Sequence, residues 1–295
     1  MKHSFKITIL LLILFLLAQF LGLGILNQYI DQEKTLAEGK TIFKELPIGE
    51  RPPLEEKTSY FPVIMAILIG TGFLWLLIKY KLIWLWKFWF LIAVIISLAI
   101  AFSALIKPEI AFILALILGF WKIFKPNFWV QNLTELFVYG GLAAIFVPLF
   151  SLWSVIILLI LISIYDAYAV WKSKHMIVLA KSQSKAGMFA GLVLPYQITK
   201  SIPQKIKTKI KTSKVRTAIL GGGDLGFPLI FAGVILKEFG LWQALLIPLF
   251  AMIGLAVLFW KAEEKKFYPA MPFIAAGCFL GLGVVWVIQL LFLRF

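Results

Sequence analysis

The chain has 295 residues, of which 62% are hydrophobic and only 15% charged, with a mean hydropathy of +0.96. Soluble domains carry roughly 25% charged residues, so these figures exclude a water-soluble globule. The formal net charge of +15 does not point to nucleic acid, because the basic residues crowd into short segments between apolar runs, the pattern that orients a protein in a bilayer and attracts anionic headgroups. A single cysteine, Cys278, allows no intrachain disulfide, and with only His3 and His175 as histidines no metal or other cofactor is expected.

In chain order, apolar runs long enough to cross about 30 Å of hydrocarbon predict nine membrane helices, at about 7–26, 61–79, 83–106, 109–124, 133–150, 152–171, 216–236, 240–260 and 268–293. The expectation is an all-α polytopic membrane protein. The first run is longer than the apolar part of a signal peptide and shows no small-residue cleavage site, so it reads as a membrane helix. The loop 27–60 is acidic, holds Pro47, Pro52 and Pro53, and predicts a short interfacial helix around Leu36 to Leu46. The loop 172–215 has no acidic residue; within it the apolar piece Ala186 to Ile198 is too short to span and is expected to be re-entrant, interfacial or a strand. The chain divides into helices one to six (1–171), this basic loop (172–215) and helices seven to nine (216–295).

With nine spans, about 21 of the 29 Lys and Arg fall on the side of the N-terminus. That asymmetry predicts a cytoplasmic N-terminus and 172–215 loop, and a C-terminus outside.

Two carboxylates stand apart from loops and span ends: Asp166 in SIYDAYAVW and Asp224 in ILGGGDLGFP. An ionised carboxylate at membrane depth costs at least about 2.5–3.5 kcal/mol on insertion scales, so such a residue is functional by default. Neither span carries a cation beyond its ends, which makes each the candidate partner of the other. Two carboxyls in a low-dielectric site share a proton, and a shared proton is what peptide hydrolysis by acid–base catalysis requires. Gly221, Gly222 and Gly223 before Asp224 remove bulk and allow close helix or backbone approach, while Pro228 removes a helical donor. Glycines alone would read as a packing notch; the acid after them changes the balance.

A Tyr165-Asp166 pair in one membrane helix, followed by Gly221-Gly222-Gly223-Asp224 in the next and Pro269-Ala270-Met271 before the last, resembles the presenilin and signal peptide peptidase family of intramembrane aspartyl proteases, and looks like an archaeal member. The third element departs from the family's Pro-Ala-Leu by a Leu to Met change that keeps size and apolarity. The resemblance implies that Asp166 and Asp224 are the catalytic pair, that Tyr165 and the three glycines shape their surroundings, and that Pro269, Ala270 and Met271 lie beside the site and help receive an unwound substrate. It implies an endopeptidase acting on the membrane-spanning helices of other proteins, embedded in the lipid bilayer; accessory subunits and oligomeric state stay open. On the residues alone, Pro269 could simply start a helix, Tyr165 could anchor or pack, and Cys278, His175, Gly277, Gly281 and Gly283 read as packing or loop residues. The alternative function is a proton-coupled transporter or channel using the same aspartates, and a third is a silent scaffold that keeps the fold.

Overall fold

The computed structural model describes residues 5–172, 189–196, 216–263 and 268–292. Among these, ten helices and one two-stranded sheet follow one another as α1 Phe5–Gln28, α2 Gln32–Glu38, α3 Tyr60–Lys79, α4 Ile83–Ser103, α5 Pro108–Phe124, α6 Phe128–Phe146, α7 Leu152–Trp171, β1 Gly191–Tyr196, β2 Arg216–Gly221, α8 Gly222–Phe239, α9 Leu241–Lys261 and α10 Met271–Phe292. All but α2 are 17 to 24 residues long, which gives the nine membrane helices expected. Seven of the described helices are long and apolar enough to cross a membrane by length and composition. The other two are α5, only 17 residues, and α8, which carries Asp224, Lys237 and Glu238. Of these, α8 is enclosed by neighbouring helices, whereas α5 packs one face against α4 and α6 and keeps the rest outward.

The helix ends follow from local chemistry. Asn127 caps α6 by accepting from the Trp129 amide, Pro148 breaks it into a short 3-10 turn at Val147–Leu149, and Ser151 opens α7 with a reciprocal Ser151–Ser154 capping box. The interfacial helix of the first loop lies earlier than expected. Asp31 caps it by accepting from the Lys34 amide, and Gly39 ends it in the left-handed region at φ 68°, so residues 40–46 run on as irregular chain that bridges back through Phe43 to Ile30.

Packing centres on α8, whose Leu225, Leu229, Phe231, Ala232, Val234 and Ile235 are wholly buried. Around it stand α1, α6, α7, α9 and α10, while α3 keeps most of its surface outward. The α9–α10 pair is held close by glycine: a Cβ on Gly254 would fall 2.1 Å from the Phe273 carbonyl oxygen, and one on Gly277 would fall 2.2 Å from that of Phe250. Gly281 meets Ile247 of α9 in the same way, whereas Gly283 has open space around it and takes no part in this packing. Cys278 is buried in the core.

Two corrections bear on function. The seventh span does not begin as helix at 216, since Arg216–Gly221 is a strand and α8 starts only at Gly222; the β-branched Thr217 and Ile219 suit an extended chain, and the glycines end it. Of the apolar piece Ala186 to Ile198, Gly191–Tyr196 is the strand that pairs with it, while residues 186–188 and 197–198, like His3 and His175, lie outside the described residues. The strands are antiparallel, with Gly191 opposite Gly221, Val193 opposite Ile219 and Tyr196 opposite Arg216.

Candidate active site

Asp166 lies on an unbroken stretch of α7 and is 5% exposed. Its Oδ2 accepts a hydrogen bond from the Met271 backbone amide at 3.0 Å, and the Ala270 amide is a second backbone donor facing the carboxylate. Met271 is the first residue of α10, where amides have no partner inside the helix and the helix dipole favours negative charge. The following Pro272 carries no amide hydrogen at all. Asp166 therefore caps a helix that begins 105 residues further along the chain. The Pro269-Ala270-Met271 segment thus lies against Asp166, with Pro269 and Met271 buried and the Met271 amide on the carboxylate.

Asp224 has a different support. It lies in the first turn of α8, three residues after β2 ends at Gly221. The carboxylate folds back onto that junction, so that a Cβ on Gly221 would lie 3.2 Å from its Oδ2. Each acid thus rests on a helix N-terminus. The two helices that carry these acids pack directly against each other.

The remaining predicted residues divide. Gly222 faces α6, where a Cβ would meet the Tyr139 hydroxyl at 2.8 Å; Gly223 is exposed, with only the Phe227 ring nearby at 3.4 Å. Tyr165 is partly buried beside Asp166 on α7. Among the described residues, no group of three or more His, Cys, Asp or Glu is arranged to hold a metal ion.

The sheet runs straight into this site. Gly222 N–H donates to Ala190 O at 3.1 Å, continuing the strand pairing up to the start of α8. On β1, Asn132 of α6 both donates to Val193 O (2.8 Å) and accepts from Val193 N (2.9 Å), and Gln131 donates to Phe189 O and Gly191 O. The outer edge of β1 is therefore occupied by α6. In an antiparallel ladder a residue whose N–H and C=O point away from the partner strand stands opposite one that does the same. Val193 is such a residue, so Ile219 turns its amide and carbonyl to the outer edge of β2, as does Thr217 opposite Pro195, which has no N–H to give.

Sequence reasoning missed three side chains here. Lys122 counts as a loop cation in the charge asymmetry and Glu135 as a residue near a span end, yet their side chains are 1% and 2% exposed and form an ion pair, with Tyr139 donating to the same carboxylate. The signal available was a polar stripe at Gln131, Glu135 and Tyr139, spaced four apart on one face of an apolar helix.

A family model described as signal peptide peptidase, presenilin aspartyl protease matches residues 35–293. No curated protein matches. Among solved structures, a presenilin family intramembrane aspartate protease in a C222 space group is 19% identical, with a TM-score of 0.62 over 95% of this chain and 99% of that one. A P2 crystal form described in the same words gives 0.60 at 19% identity, over 94% and 96%. At that identity the structures bear on the fold alone. By the family match, this multi-pass membrane protein belongs to the signal peptide peptidase and presenilin family of aspartyl proteases.

Proposed function

We propose that Asp166 and Asp224 are the catalytic pair of an aspartic endopeptidase that hydrolyses peptide bonds within the transmembrane helices of other proteins, with water as the nucleophile. The observation that carries this is the packing of α7 on α8, which sets the two acids on neighbouring helices, Asp166 on the first amide of α10 and Asp224 in the first turn of α8. One carboxylate takes a proton from water as the water oxygen bonds to the scissile carbon; the other, protonated, donates to the carbonyl oxygen. The tetrahedral species collapses by breaking the C–N bond, the nitrogen leaves with a proton returned by the pair, and the products are a new carboxyl and a new amine terminus.

A helical substrate hides its scissile amide in hydrogen bonds and must unwind, with its freed polar groups satisfied by protein rather than lipid. The outer edge of β2 at Thr217 and Ile219 offers donors and acceptors for an added strand, and Gly221 leads from that edge directly to Asp224. The charge asymmetry supports a site opening toward the cytoplasmic side, with the N-terminus and the 172–215 loop there and the C-terminus outside. In this reading segment 1–171 supplies Asp166 and the wall that anchors the hairpin, 172–215 is a basic loop, and 216–295 supplies β2, Asp224 and the Pro269-Ala270-Met271 segment.

The test is cleavage of a single-span substrate by the purified protein in liposomes, with products mapped by mass spectrometry. Cuts inside the span that need both aspartates support the proposal. Cuts confined to juxtamembrane loops, or full activity in either Asp→Asn variant, contradict it.

A further inference from the structure

The buried Lys122–Glu135 pair joins α5 to α6 with both side chains almost wholly enclosed. Taking two ions out of water is so unfavourable that well-packed apolar residues of the same volume are often at least as stabilising. Stability of the fold is therefore a poor explanation for keeping it. Its other bonds supply a better one. Lys122 also donates to Thr134 Oγ1 at 3.1 Å, and Glu135 Oε1 accepts from Gln131 Nε2 at 3.0 Å. Gln131 Nε2 in turn reaches Phe189 O at 2.8 Å and Gly191 O at 2.9 Å, the chain entering and beginning β1. The other Glu135 oxygen accepts from the Tyr139 hydroxyl.

Tyr139 closes the circuit. Its hydroxyl occupies the space into which a Gly222 Cβ would project, and its ring lies over Gly226 one turn on. One enclosed carboxylate thus holds the start of β1 on one side and the wall of the Asp224 turn on the other.

We propose that Tyr139 is a positioning residue for Asp224, fixed by the Glu135 carboxylate that Lys122 neutralises, and that the same carboxylate, through Gln131, keeps the hairpin aligned with Asp224. The inference rests on the reading of Asp224 as catalytic. A tyrosine serving only as packing would need no hydroxyl, and a carboxylate serving only Lys122 would need no reach to β1.

Tyr139→Phe in the full chain, assayed in liposomes on the single-span substrate, removes the hydroxyl and nothing else. It is expected to lower kcat per folded protein about tenfold, the lower end of what one charge-linked hydrogen bond supplies, with KM essentially unchanged and the thermal midpoint lowered by the loss of a donor to buried Glu135. Glu135→Gln alone strands a buried ammonium and can fail to fold, so the second variant is Lys122→Met with Glu135→Gln, which removes both charges together. It should lower kcat to a similar extent, and adding Tyr139→Phe to it should cause little further loss. Wild-type kcat in Tyr139→Phe overturns the inference, as does a loss confined to the thermal midpoint, or losses that multiply when the variants are combined. Asp224→Asn runs alongside: if it still cleaves, the parent reading fails, whereas a dead Asp224→Asn beside a fully active Tyr139→Phe sinks this inference alone.

Discussion

Asp166 sits within an unbroken helix and takes its hydrogen bond from the first amide of another helix far along the chain, whereas Asp224 sits at a joint, just after a strand ends and in the first turn of its own helix. The first support is rigid and remote, made when α10 docks on α7. The second is local, made where the β1–β2 hairpin turns into α8. Two side chains of the same chemistry are thus placed by different means: one fixed in the bundle, the other attached to the element whose free edge can receive a substrate. The difference assigns separate consequences to substitutions that look alike in sequence.

The largest effect short of removing an acid is expected at the remote support. Met271→Pro deletes the amide that Asp166 uses, while proline at a first helical position keeps the helix geometry. A hydrogen bond to a charged group contributes about 1.5–3 kcal/mol, so kcat should fall by roughly 10- to 100-fold. Met271→Leu keeps the amide and the apolar volume and should leave kcat within about twofold. Both are read from cleavage kinetics per folded protein, and equal activity in the two would remove the capping role.

At the local support, Ile219→Pro deletes the outward donor of β2 without touching the bonds between the strands. Cleavage should fall by about tenfold, the worth of a single hydrogen bond of roughly 1–1.5 kcal/mol, with the thermal midpoint little changed. Val193→Pro instead breaks the bond to Asn132 and should lower both stability and turnover. A substrate strand that adds to β1 rather than β2 would reverse this contrast.

A smaller effect separates neighbouring glycines. Gly222→Ala drives a methyl to within 2.8 Å of the Tyr139 hydroxyl, while Gly223→Ala meets only the Phe227 ring at 3.4 Å. Overpacking of this kind costs about 1–3 kcal/mol, so a lower thermal midpoint and reduced turnover are expected for Gly222→Ala and near-wild-type behaviour for Gly223→Ala. Equal tolerance of both would mean that α6 does not press on the Asp224 turn. Smallest is Asn132→Ala, which leaves the Val193 amide and carbonyl without their side-chain partner and should destabilise by about 1–3 kcal/mol while sparing the acids themselves.

The bundle was readable from sequence because membrane spans declare themselves by length and apolarity, and an acid such as Asp166 or Asp224 inside one has no cheap structural excuse. The Pro269-Ala270-Met271 segment was readable as a neighbour of the site but not as the cap of Asp166, because that contact spans 105 positions and no periodicity encodes it. The hairpin was half legible: the apolar piece 186–198, too short to span, left a strand as one of three readings, but Arg216–Gly221 merged with the apolar run of α8, where hydropathy does not distinguish a strand from the first turns of a helix. Lys122 and Glu135 escaped because hydropathy places any charge near a span end in water, and only the packing of α5 on α6 buries them.

The most direct test of the account compares Asp166→Asn, Asp224→Asn and the double variant for turnover of a single-span substrate in liposomes, with folding checked for each. Groups that act as one unit are strongly non-additive, so each single variant should be as inactive as the double. A single variant that keeps substantial turnover, or losses that multiply independently, would contradict the claim that the two acids carry out one reaction together.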